Sequence, residues 1–151
     1  MEINNKTTDL IAKVLKKYDE IELPADGTSM YPFIREGDIC TFTSCDPSSL
    51  KKGDVVLFKS QRGQLVAHRF IQTETIQRKH YYLFKGDTNL GFDDPVCEED
   101  IIGKLAVVKR NNMKFSSSNI TSNLWSKTIL TFPIISYWLR LYINRRNTLQ
   151  Y

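Results

Sequence analysis

Gly27-Thr28-Ser29-Met30-Tyr31-Pro32, followed by Gly37-Asp38, sets one hydroxyl in a tight loop with a predicted strand, Ile39 to Thr43, directly behind it. Glycine and proline punctuate the loop at both ends, so Ser29 is presented on a turn rather than along an element. A serine held this way becomes a nucleophile when a base lies within hydrogen-bond reach. Working outward, Val66-Ala67-His68-Arg69-Phe70 offers an imidazole and Lys85-Gly86-Asp87-Thr88-Asn89 a carboxylate. Serine, histidine and aspartate, in that order, are the side-chain types of a hydrolytic triad.

The 151 residues are enough for one domain that buries its own core. With 41% apolar and 25% charged residues the composition is that of a folded protein rather than a disordered one. Cys40, Cys45 and Cys97 are odd in number and lack metal-ligand spacing, so reduced thiols are expected and no metal or other cofactor. Residues 1–100 hold 13 Lys and Arg against 17 Asp and Glu, whereas residues 101–151 hold 8 and none, so the C-terminal third is purely basic. Neither a secretory signal pattern nor an apolar run of about 18 residues is present, which predicts a cytoplasmic chain without a transmembrane span.

Leu10, Ile11, Val14, Leu15 and Tyr18 recur at helical spacing, predicting one amphipathic helix in an N-terminal segment, 1–23. Strands are predicted at Ile39 to Thr43, Val55 to Phe58, Leu65 to Gln72, His80 to Phe84 and Ile101 to Val108, the second and third joined by a hairpin at Gln61 to Gln64. Alternation places Val66, His68 and Phe70 on one face of their strand and Leu65, Ala67, Arg69 and Ile71 on the other. The catalytic β domain is thus expected at 24–110, an Asn- and Ser-rich linker at 111–123, and a basic amphipathic helical segment at 124–151, interrupted at Pro133.

Three boxes together resemble the signal peptidase I superfamily, in its endoplasmic-reticulum-type branch with histidine as base. They are Gly27 to Pro32 with Gly37-Asp38; Gly53-Asp54-Val55-Val56 leading to His68-Arg69; and Lys85 to Asn89 with Asp93-Asp94-Pro95-Val96 and Ile102-Gly103-Lys104. The resemblance covers roughly residues 22 to 108 and extends in fold to the self-cleaving repressors of the SOS response. It implies a mainly β, antiparallel fold of signal-peptidase or repressor-protease type, with a short N-terminal helix and C-terminal helices. It further implies a catalytic Ser29, His68 as general base and Asp87 as its acidic partner, with Asp93 or Asp94 at a second acidic position, Asp94 preferred. Cleavage would follow small residues of an extended substrate. Two features depart from the family pattern: residues 1–23 are polar and amphipathic where a membrane anchor is usual, and Gly27 stands where many signal peptidases carry a hydroxyl.

The expected activity is that of a serine endopeptidase that removes a leader or signal segment from a precursor peptide or protein through an acyl-enzyme. His68, mostly neutral at pH 7, is suited to take the Ser29 proton, and an acidic partner fixes its tautomer. Met30 and Phe33 are expected along the substrate cleft, with packing as the competing role. Two alternatives stand beside the enzyme: a regulatory or binding module of the same fold without turnover in trans, and a membrane-docked partner protein. The segment 124–151 combines Trp125, Phe132, Trp138 and Leu139 with Lys127, Arg140, Arg145 and Arg146, which fits peripheral membrane contact, a helix closing over the sheet, or a docking surface for a protein. Its cations are spread among bulky aliphatics, which argues against nucleic acid.

Overall fold

The computed structural model describes residues 5–148; positions 1–4 and 149–151 of the expected terminal segments lie outside the described residues. Helix α1 (Asn5–Tyr18) is followed by strands β1 (Glu20–Pro24), β2 (Ile39–Thr43), β3 (Val55–Lys59), β4 (Leu65–Ile76), β5 (Lys79–Lys85), β6 (Ile101–Arg110) and β7 (Met113–Ser116), then by helices α2 (Ile120–Thr131) and α3 (Pro133–Thr148). The mainly β, antiparallel fold with helices at both ends agrees with the expectation. The sheet runs β1-β2-β6-β3-β4-β5, with β7 also paired to β6.

Strand β3 organises the interior because both of its faces are covered. Val55 and Leu57 join Ile11, Met30, Ile34, Cys40, Phe42, Leu105 and Val108 in one apolar cluster. Val56 and Phe58, pointing the other way, join Phe70, Tyr82, Phe84 and Val96 in a second. Helix α1 contributes Ile11 to the first cluster and buries Leu15, while Leu10 and Tyr18 remain exposed.

Three local features differ from the sequence expectation. Asp19, with φ of 65°, ends α1 and turns the chain into β1, so residues 20–23 of the segment expected to be helical belong to a strand that ends at Pro24. β4 extends to Ile76 because Gln77 and Arg78, with φ of 49° and 66°, close a two-residue hairpin into β5. Those residue types carry none of the Asn-Gly signal of such a turn. The stretch 111–123, expected as a linker, carries β7 and the first residues of α2, because Asn111 turns with φ of 52° and returns the chain along β6.

Candidate active site

Ser29 sits on the turn between β1 and β2, half-buried, with Tyr31 N–H bonded back to Thr28 O at 3.1 Å and Ile34 N–H to Met30 O at 2.9 Å. The far end of this loop is pinned by Asp38, which accepts from the Arg35 N–H at 2.8 Å and from the Arg110 guanidinium at 2.9 and 2.6 Å. Arg110 also donates to Phe33 O at 3.1 Å, so β6 braces the Ser29 loop at two points. Burial pushes the Asp38 carboxyl up, but the Arg110 guanidinium and the Arg35 N–H outweigh it and hold its pKa below the ordinary value.

His68 comes from the middle of β4 and faces Phe58, the ring centroids 6.3 Å apart. Its Nε2 lies 2.9 Å from Ser29 Oγ, and its Nδ1 lies 2.6 Å from Asp93 Oδ2. The Asp93 carboxylate accepts the Nδ1 proton, which leaves Nε2 as the acceptor toward the serine hydroxyl. The His68 side chain is 8% exposed and that of Asp93 22%, so the relay is largely shielded yet open at one end.

The acidic partner of His68 is therefore Asp93, not Asp87. Successive side chains of β4 point to opposite faces, and Asp87 serves the face of Arg69 rather than that of His68. Arg69 and Asp87 are 2% and 1% exposed and meet through two hydrogen bonds, Nε to Oδ1 at 2.6 Å and Nη2 to Oδ2 at 3.0 Å. Trp125 of α2 donates its indole N–H to the same carboxylate at 2.8 Å. Asp94 does not reach the imidazole in its neighbour's place; it is exposed and lines a groove together with Asp93.

The Asp87 turn still contacts the Ser29 loop, through its neighbours. Thr88 N–H donates to Ser29 O at 3.0 Å, and the Thr88 hydroxyl lies 3.3 Å from both Thr28 O and Ser29 O. A Cβ on Gly86 would sit 2.9 Å from Ser29 O and 3.0 Å from His68 Nε2, so a glycine is what lets this turn pass so close. Arg69, Asp87 and Trp125 thus hold the turn that holds Ser29.

A groove of about 270 Å³ opens at His68, floored by Phe58 and Val66 and flanked by Ser60 to Gln64 on one side and Asp93 and Asp94 on the other. Ser29, Met30 and Phe33 lie outside the lining of this groove. Met30 is 4% exposed and belongs to the first apolar cluster. Phe33 packs beside that cluster with the Arg69 guanidinium 4.8 Å from its ring centre, and lines a separate cavity under α2 with Trp125. The hairpin wall at Ser60 to Gln64 had no signal in the sequence beyond its turn composition. Cys40 offers no competing nucleophile, because burial pushes its thiol up to about 12. No protein-family model matches the chain, and no curated protein matches it.

Proposed function

We propose that the chain is a serine endopeptidase of signal-peptidase-like type, acting on the leader or signal segment of a precursor peptide or protein. The observation that carries it is the continuous relay from Ser29 Oγ through His68 to Asp93, with contacts of 2.9 and 2.6 Å. As His68 Nε2 takes the hydroxyl proton, Oγ attacks the scissile carbonyl carbon, and backbone N–H groups of the Ser29 turn receive the developing oxyanion. Asp93 stabilises the imidazolium so formed. The C–N bond then breaks as Nε2–H protonates the leaving amine, and water, activated by the same imidazole, releases the acyl group. Preference for small residues before the cut rests on the family resemblance, and an extended substrate fits the open groove beside His68.

The test is digestion of a complex peptide library with the purified chain, cut sites being read by mass spectrometry. Wild type is expected to cut after small residues, and Ser29→Ala and His68→Ala to leave the library intact. Equal cleavage by wild type and Ser29→Ala would overturn the assignment.

A further inference from the structure

Helix α3 buries little of its apolar surface. Ser136 and Ile143 face inward, at 1% and 7% exposure, and the stripe on the opposite side of the helix carries Ile134, Trp138, Leu141 and Arg145 at steps of four, three and four. Ile134 and Trp138 are both 63% exposed, with Tyr137 and Tyr142 about half exposed beside them. Helix α2 and the junction add exposed Ile120, Leu124 and Phe132. Lys127, Arg140, Arg145 and Arg146 are all exposed, and no Asp or Glu occurs anywhere in residues 101–151.

We infer that the α2–α3 pair is a docking face for an anionic lipid bilayer, lying in the interface rather than crossing it. Exposed tryptophan and tyrosine on helices whose charged side chains are all basic match the polarity of an anionic headgroup region. Among the described residues no helix is long and apolar enough to cross a membrane. A second copy of the chain is a poor occupant, because a self-complementary interface would bring these cations against their own copies with no carboxylate in the segment to pair them.

The helices that carry this face also reach the candidate site. Tyr142 of α3 stacks on Tyr31, two residues past Ser29, with ring centroids 6.0 Å apart and planes at 23°. Trp125, on the inward side of α2, holds Asp87. The docking does not depend on turnover.

The experiment is co-sedimentation of the full chain with phosphatidylcholine vesicles, with and without about 30% phosphatidylglycerol, the brominated-tail form of the lipid serving to quench tryptophan. Binding to the anionic vesicles is expected, weakening about tenfold or more when salt rises from about 0.1 M to about 0.5 M. Reversing Arg140, Arg145 and Arg146 to Glu should lower it by at least about tenfold, and Trp138→Ser should remove most of the bromine quenching. These positions are exposed, so far-UV circular dichroism should be unchanged. Ser29→Ala should sediment like wild type, so failure of the peptidase assignment would leave this result standing. Absence of binding to anionic vesicles, or equal binding by the charge-reversed variant, would overturn the inference. So would a concentration-dependent dimer that shields Trp138 from acrylamide without lipid, which would assign the face to a second copy.

Discussion

Asp93→Asn separates the two carboxylates most sharply. The wild-type Oδ2 to Nδ1 contact of 2.6 Å places a full negative charge against the imidazolium that forms in the transition state. At that separation and an effective dielectric constant of about 20, their attraction is roughly 6 kcal/mol, a ceiling on what the charge supplies. An asparagine that turns its NH₂ toward Nδ1 also forces the proton onto Nε2, which then no longer accepts from Ser29 Oγ. The equivalent change in a well-known triad lowers kcat by about 10⁴, or about 5.4 kcal/mol at 1.36 kcal/mol per decade, consistent with that ceiling. We therefore expect Asp93→Asn to lower kcat about 10⁴-fold on the fastest-cleaved library peptide, with the melting temperature close to wild type because the side chain is isosteric and partly exposed. Asp94→Asn should stay within about twofold of wild-type kcat, since its exposed side chain does not bond the imidazole. Retention of more than about a tenth of wild-type kcat by Asp93→Asn would refute the assignment of Asp93 as the group that orients His68.

Asp87→Asn should instead lower stability by about 3 to 5 kcal/mol in urea unfolding, because it leaves the buried Arg69 guanidinium without its counter-charge; a melting temperature equal to wild type would argue against this structural role. Gly53→Ala should cost at least about 1 kcal/mol and loosen α2, since its φ of 97° disfavours a side chain and a Cβ there would collide with Ser126 Oγ; limited proteolysis between β7 and α3 reads the loosening. Asp38, with its folded pKa depressed below the ordinary 3.8, contributes stability that is present above that value and lost as pH falls through the folded pKa. Asp38→Asn should therefore flatten the acid limb of a stability-against-pH curve below about pH 4, and an unchanged limb would count against the Arg110 brace.

Local pattern was enough to read the nucleophile loop, the helices at both ends and the face of β4 that carries His68. Each depends on turn chemistry or on a two- or three-to-four-residue period that the chain carries in itself. The β4–β5 hairpin escaped the sequence because Gln77 and Arg78 adopt left-handed conformations that their composition does not advertise; β7 escaped because Asn111, a residue that favours that conformation, sits in a stretch that reads as linker rather than as a turn. Met30, next to Ser29 in sequence, turns into the interior, whereas Phe33 packs only partly buried beside the same cluster.

The choice of carboxylate lay beyond any local rule. Asp87 and Asp93 flank one loop, and both suit a triad by residue type. What separates them is that His68 and Arg69, adjacent in sequence, point to opposite faces of β4, so the loop must deliver one acid to each. Asp87 goes to Arg69 under α2, and Asp93, tied by its N–H to Phe84 O at 2.9 Å, comes back over β5 to His68. Residue types and their order singled out a serine, a histidine and the aspartates; the path of that loop across the sheet decided which aspartate meets His68, because a hydrogen bond across 25 residues depends on where the backbone returns.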